Sequence, residues 1–243
     1  MMVSNGLRNT YYKFVFGRRF PFASDIDCAI HAWERRHSKG DIPKAREDWD
    51  AQYQTSKWAF MRGLDESSRY AVIIAYMSGL KPKGAILDVG CGDGILFERY
   101  RPYGYLRYVG LDISEVALAK LSPKQDARTT FLCADAENYQ PTELFDTIVF
   151  SESQYYFSNP VFTLRRYGDS LKPDGVMVLS TYTRSHRAMA ILRCIKRYYS
   201  LVAETNIRQG ASSWCCTVLA LQAESQSELR RILIGARSSG ELC

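Results

Sequence analysis

The stretch ILDVGCGDGIL, residues 86–96, runs an apolar segment straight into Gly90, Gly92 and Gly94, with Asp88 before the turn and Asp93 inside it. An apolar run broken by glycines and followed by a new apolar segment predicts a buried strand, a tight turn and a helix. Glycine has no Cβ, so the turn can be tight and a ligand can approach the backbone closely. The helix N-terminus behind it offers free N–H groups and a partial positive charge. Alone, the glycine spacing is met equally by a plain strand-to-helix turn. For Asp93, a cap on the helix that follows accounts for the residue as well as a ligand would.

The alternation continues downstream. AILDVG (85–90), YVGLDI (108–113), TTFLCAD (129–135), FDTIVFSE (145–152) and GVMVLSTY (175–182) read as strands. Helices are expected at 93–101, 114–121, 160–171 and 185–199. Continuous Val/Ile/Leu runs separated by helices indicate a parallel sheet covered on both faces. SLVAETNI (200–207) and SSWCCTVLALQ (212–222) have only a turn between them and read as an antiparallel hairpin at the sheet edge. The fold class is therefore α/β: a doubly wound, mostly parallel seven-stranded sheet. Ligands of such sheets bind beyond the carboxyl ends of the strands.

Upstream, a helix over 66–79 carries Val72, Ile73, Tyr76 and Met77 on one face, with Asp65 or Ser67 as its cap and Gly79 and Pro82 at its end. Residues 26–62, rich in Trp, Arg and Asp, read as short helices broken near Gly40 and Pro43. Three parts follow: an N-terminal helical cap or lid over 1–65, a core over 66–222, and a polar tail over 223–243.

The 243 residues are 46% hydrophobic and 24% charged, ordinary for a soluble globular protein. The net charge of +6 is mild beside that of a dedicated nucleic-acid protein. The helix near 184–199 carries Arg184, Arg187, Arg193, Lys196 and Arg197, opposite a stripe of Met189, Leu192, Ile195 and Tyr199. Such a face could bind phosphates, but it reads as a solvated helix face. Seven cysteines, an odd number without a C-x-x-C pair, argue for reduced thiols and against a disulfide framework or zinc site; Cys91 and Cys133 read as core strand ends. There is no metal-ligand cluster, no apolar run long enough for a transmembrane helix and no secretory signal core, so a cytoplasmic protein is expected.

Three carboxylates narrow the ligand. Asp112 ends the second strand, 24 residues after Asp88, where a carboxylate accepts ribose hydroxyls in dinucleotide folds. Asp135 ends the third strand, where an adenine amino group would lie. Asp88 stands where a pyrophosphate would be repelled and a cation attracted. Ile95 also occupies the place where the dinucleotide fingerprint wants Gly or Ala, which disfavours a nicotinamide dehydrogenase. A ligand with adenosine, an ammonium and a sulfonium suits the set.

LDVGCGDG, GLDIS, ADAENY, FDTIVFSESQYY and LKPDGVMVLST, in this order, resemble the five motifs of class I S-adenosylmethionine-dependent methyltransferases, with the fold that family implies, a Rossmann-like sheet. The resemblance spans about residues 66–222. EDWDAQYQTSKW, DESSRY and FSESQYYF further resemble a bacterial small-molecule subgroup that includes nodulation-type amino-sugar N-methyltransferases. The resemblance implies S-adenosyl-L-methionine as cofactor. It places Asp88, Gly90, Gly92 and Ser151 at the methionine part, Asp112 on the ribose, Ile113 on the adenine face, and Asp135 and Ala136 at the adenine edge. Arg69 is a candidate partner of the cofactor carboxylate or a surface arginine; Trp58 closes over the cofactor or packs in the core.

For catalysis the candidates are Glu152 and Tyr155, after the fourth strand, and His186, after the fifth, where it could act as base or simply start a helix. The fourth motif, SESQ, lacks the Asn/Asp-Pro-Pro-Tyr pattern of enzymes that methylate planar amides and nucleobase amines. No Pro-Cys dipeptide supports a cytosine-C5 mechanism. The expected acceptor is a small molecule, with natural products, sugars and prenyl-type metabolites, and N, O or C atoms, all open. RNA or protein methylation and a non-catalytic cofactor-binding subunit are the alternatives. No nucleic-acid partner is expected, and the oligomeric state stays open, a homodimer included.

Overall fold

The computed structural model describes residues 5–18 and 45–222. Strand β1 (Ala85–Val89) is buried at all five positions. It pairs in parallel with β2 (Arg107–Asp112) on one side and β4 (Phe145–Ser151) on the other. β3 (Thr129–Cys133) extends the β2 side, and β5 (Leu171–Tyr182) the β4 side. β6 (Tyr199–Gln209) and β7 (Ser212–Leu221) form the expected antiparallel hairpin, turning at Gly210 with a φ of 58°. β7 lies against β5, so the sheet order is β3-β2-β1-β4-β5-β7-β6. Because the chain leaves β1 for β2 and β3 and returns to β4 beside β1, a crevice opens beyond the carboxyl ends of β1 and β4.

Alternating side chains feed two cores. Leu87 and Val89 of β1, with Met177 and Leu179 of β5, face one layer. That layer holds α1 (Asn5–Phe14), α6 (Pro160–Gly168) and α7 (His186–Ile195). Ile86 of β1, with Val176 and Val178, faces the other. This second layer is built from α3 (Leu64–Leu80) and α4 (Ile95–Tyr100), with Leu118 of α5 (Glu115–Ala119) packed in. Asp88 shares the Ile86 face, and Tyr108 donates to its Oδ2 at 2.7 Å.

Helix starts are set locally. Asn159 caps α6 ahead of Pro160 at its first position, Ser185 caps α7, and Ser114 caps α5. Each side-chain oxygen accepts a backbone N–H that the helix leaves over. α3 departs from expectation. It begins at Leu64 with Gly63 as an uncapped N-cap, and Ser67 instead donates to the Leu64 carbonyl at 2.6 Å. Its buried stripe is Glu66, Arg69, Tyr70, Ile73, Ile74 and Met77, rotated from the expected one, so Val72 and Tyr76 are only half-buried.

Two basic side chains, one in the last turn of α7 and one just beyond its end, are put to internal use. Arg193 donates to the Tyr12 carbonyl at 3.0 Å and Arg197 to the Gly17 carbonyl, so they hold the C-terminal end of α1 where its carbonyls lack helical partners. The expected stripe of Leu192, Ile195 and Tyr199 is buried and Met189 half-buried, while Arg187 turns inward. Of the free thiols, Cys91, Cys194, Cys215 and Cys216 are buried, whereas Cys133, placed in the core by the sequence, is exposed at the end of β3. The expected breaks near Gly40 and Pro43 and the polar tail lie outside the described residues. Among the described residues no helix is long and apolar enough to cross a membrane, and no group of three His, Cys, Asp or Glu could hold a metal ion.

Candidate functional site

A cavity of about 500 Å³ opens at the carboxyl ends of β1, β2 and β4. Its floor is the glycine turn. Gly90, Gly92 and Gly94 all have left-handed backbones, with φ of 78°, 55° and 79°. A Cβ on Gly90 would lie 2.5 Å from Ser153 Cβ, and one on Gly92 would lie 2.5 Å from the Tyr53 hydroxyl. Gly92 is thus required twice, by its dihedral and by the approach of Tyr53.

Asp112 shapes the adjoining wall. Its Oδ2 accepts the Gly92 N–H at 2.8 Å and its Oδ1 the Ser114 N–H at 2.9 Å. The carboxylate is 9% exposed, and burial pushes it up to about 6 against these hydrogen bonds. Asp88, 1% exposed, sits in a side pocket with Gly90, Gly92, Trp58 and Ser151. Burial pushes it up to about 7, and its Oδ1 is buried without a hydrogen-bond partner. Ile113, Asp135 and Ala136 line the far wall. Asp135 is fixed by the Glu137 N–H at 2.9 Å and the Asn138 amide at 2.6 Å, and the Ala136 carbonyl by Arg166 and Tyr167.

Glu152, the residue after β4, has a left-handed φ of 62°. Such a conformation costs energy in a residue with a side chain and persists where its surroundings enforce it. Here the Tyr155 hydroxyl donates to Oε2 at 2.7 Å and the Ser180 hydroxyl to Oε1 at 2.6 Å. Ser180 is in reach because it pairs with Ser151 across β4 and β5. Burial raises the Glu152 carboxyl above its ordinary range, opposed by Arg69 and these hydroxyls. Both Glu152 and Tyr155 line the cavity.

Arg69 is neither on the surface nor in the lining. It is fully buried, its Nη1 donating to Ser151 Oγ at 2.7 Å and its Nε and Nη2 to Glu66 Oε2 at 3.1 and 3.0 Å. It supports Ser151 from behind. His186 is not brought to the cleft: it is exposed at the first position of α7, and the next residue, Arg187, lines the cavity in its place. Asp93 does not cap α4, whose N-cap is Gly94; it pairs with Arg62 at 3.1 Å and Lys120 at 3.9 Å.

Helix α2 (Arg46–Gln54) closes the cleft from above the glycine turn. Asp50 docks it onto the start of α5, accepting from the Ser114 hydroxyl at 2.6 Å and the Val116 N–H at 3.1 Å. This brings in Trp49, stacked on Trp58 with centroids 5.9 Å apart, and Tyr53, whose hydroxyl burial holds far above its usual range. In the sequence, Trp49 and Tyr53 stood with Trp58 among the many aromatics before residue 66 that suggest a ring-stacking pocket, whereas Ser180 gave no signal. The run EDWDAQYQTSKW carried the signal for the first two. Among the described residues before 66, Ala45, Trp49, Tyr53, Trp58, Phe60 and Met61 line the cavity, while α1 packs on α7.

A family model described as a methyltransferase domain matches residues 59–219. A ubiquinone biosynthesis O-methyltransferase of Bradyrhizobium diazoefficiens is 33% identical over 109 residues, 44% of this chain and 43% of that protein. The chain spans about half the length of the curated relatives it matches. The N-methyltransferase NodS of Bradyrhizobium japonicum, in complex with S-adenosyl-L-homocysteine, is similar with a TM-score of 0.65 at 16% identity, covering 72% of this chain and 97% of that one. The 1,6-didemethyltoxoflavin-N1-methyltransferase of Burkholderia thailandensis gives 0.60 at 17% identity, covering 75% and 93%. At these identities the two structures bear on the fold.

Proposed function

The chain belongs to the methyltransferase-domain family, in its S-adenosylmethionine-dependent class I, and we propose that its methyl acceptor is a small molecule seated beside Glu152. The residues present fit the cofactor. Oδ1 of Asp88 is a buried acceptor without a partner, Gly90 and Gly92 border the pocket with bare backbone that their neighbours leave no room to extend, and Asp112 is held by two backbone N–H groups at the adjoining wall. Asp88, Gly90, Gly92 and Ser151 would hold the methionine half, with Trp58 closing over it. Asp112 would take the ribose, Ile113 the adenine face, and Asp135 and Ala136 the adenine edge. When bound, S-adenosylmethionine supplies a methyl group on a sulfonium, an electrophilic carbon with a neutral leaving group.

The chain's own contribution is position, dryness and a proton acceptor. The aromatic walls built by Trp49, Trp58 and Tyr156 exclude water and hold an acceptor in line, which supplies most of what a direct displacement needs. Glu152 would take the proton that an N–H or O–H acceptor must lose. Its two oxygens are held by Tyr155 and Ser180, so the carboxylate is fixed before substrate arrives. Arg69 would act as a positioning residue, holding Ser151. The strained, doubly hydrogen-bonded Glu152 in the same cavity as Asp112 is the observation that carries this proposal. A nucleic-acid substrate has less support, because Arg193 and Arg197 of the basic helix are engaged with α1. The likeness to relatives named for ubiquinone biosynthesis also supports a small acceptor.

Titration calorimetry with S-adenosylhomocysteine and with NAD tests it. The first should bind, and Asp112→Ala should weaken that binding by ~1–3 kcal/mol, as for a lost hydrogen bond to a buried group. Unfolding of the ligand-free variant is measured alongside, since Asp112 also holds Gly92 and Ser114. Binding of NAD with none of S-adenosylhomocysteine would overturn the assignment.

A further inference from the structure

Resting on the proposal that this cleft is the methyl-transfer site, we propose that the acceptor enters it as an ammonium, recognised by Glu66 and Glu152 between aromatic walls. Among the described residues, five carboxylates line the cavity. Asp112 and Asp135 are assigned above to the cofactor and Glu137 is held by the Ser158 and Asn159 N–H groups, which leaves Glu66, from the first turn of α3, and Glu152, from the end of β4. Arg69 pairs directly with Glu66 and acts on Glu152 only through its charge. Arg69 lies behind them, fully buried, and both of its bonds to Glu66 fall on Oε2. With both carboxylates ionised, these three side chains carry one net negative charge at the cavity wall, and Glu66 is only 7% exposed. An unmatched charge in such a place is costly, and a ligand cation offsets it.

The walls have the matching chemistry. Tyr155, Tyr156, Trp49 and Trp58 form a continuous run of rings, with successive centroids 4.8, 5.0 and 5.9 Å apart. Trp214, paired with Tyr182 at 6.5 Å, also lines the cavity, and the Arg69 guanidinium lies 5.9 Å from its ring. Ring faces attract cations, most strongly where water is excluded. A neutral hydroxyl acceptor needs one carboxylate and gains little from the second. An ammonium uses both, gives one N–H proton to Glu152, and keeps the freed lone pair on nitrogen for the methyl group. Among the described lining residues Arg187 is the one guanidinium, held by the Phe157 carbonyl at 3.2 Å at the α7 edge of the cleft. It marks where an anionic acceptor would go instead.

Three probes share a ring and chain length and differ in charge: phenethylamine, 2-phenylethanol and 3-phenylpropionate. Each is titrated into the full chain with S-adenosylhomocysteine present, followed by tryptophan fluorescence. Phenethylamine should bind about tenfold or more tightly than the alcohol, with the propionate weakest. That preference should fall to about threefold or less in Glu152→Gln and shrink in Glu66→Gln, with circular dichroism and S-adenosylhomocysteine affinity retained. An amine that binds no better than its alcohol, including no measurable binding of either, overturns the inference. So does a preference that survives both substitutions, or one for the propionate, which would point to Arg187. If S-adenosylhomocysteine itself fails to bind the wild-type chain, it is the methyl-transfer assignment that falls.

Discussion

Moving from about pH 5.5 to about pH 8.0 should tighten S-adenosylhomocysteine binding by about 30-fold through Asp88. Burial holds this carboxyl up at about 7, with Tyr108 opposing and Asp112 adding to the shift. At the acid end roughly 3% of the free protein has Asp88 ionised, and at the alkaline end roughly 90%. The proposed partner is the ammonium of the ligand, which selects the ionised form, so affinity follows that fraction and changes by ~2 kcal/mol. Asp112, pushed up to about 6, adds about fourfold in the same direction. Calorimetry at about pH 6, in two buffers of different ionisation enthalpy, should show release of between one and two protons per ligand, as expected for two partly protonated carboxylates. Asp88→Asn should remove the larger part of the pH dependence. The same shift has a sign for stability. The ligand-free fold is favoured by protonated Asp88, so that contribution is lost as pH rises from the ordinary carboxylate range through about 7. Asp88→Asn should therefore raise the apo Tm near pH 8 and change it little near pH 4. An affinity constant within about twofold across the interval, or a variant that keeps the full slope, would refute the assignment of Asp88.

Three further outcomes are expected. Gly110→Ala would place a Cβ 2.6 Å from the Phe131 ring and 3.0 Å from Cys91 Sγ inside β2, and should cost ~1–3 kcal/mol in urea unfolding; an unchanged midpoint would mean that Phe131 yields. Arg69→Met leaves Glu66 without its buried partner and should cost ~3–5 kcal/mol, with part regained in the double variant Arg69→Met/Glu66→Gln; no recovery would make Arg69 a packing residue only. Asp50→Ala removes the acceptor for Ser114 and Val116 and should cost ~1–2 kcal/mol, read as faster amide exchange across α2; unchanged exchange would show that the Trp49–Trp58 stack holds the helix without it.

The sheet was legible because parallel strands buried on both faces appear as unbroken apolar runs, and the hairpin because two such runs met at Gly210 with no room for a helix. Strand-end residues were legible for the same reason: Asp88, Asp112, Ser151 and Glu152 follow or end strands whose direction fixes where they point. What escaped depended on partners distant in sequence. Asp93 looked like a cap until the fold brought Arg62 and Lys120 to it. Ser180 holds Glu152 only through the β4–β5 register. The docking of α2 on α5 through Asp50, which accompanies the entry of Tyr53 and Trp49 into the cleft, had no local signal. His186 and Arg187 differ by one position, but one position is roughly 100° of helix rotation, and no local signal in the sequence set that phase. On α3 the stripe counted from Val72 missed Arg69 because an arginine seldom sits on a buried face.

The order of strands at the β5 side also has a temporal meaning. β6 precedes β7 in the chain but reaches the sheet only through it, since β7 lies between β5 and β6. During synthesis, β5 must therefore wait with an open edge until Ser212–Leu221 emerges, and β6 has no partner until the same moment. The Trp214 that borders Arg69, and with it one wall of the cleft, arrives in that last step. An unpaired strand edge is an invitation to other chains. The nascent protein thus carries the unpaired β5 edge until just before its candidate site is complete, and a single strand covers that edge and closes that wall together.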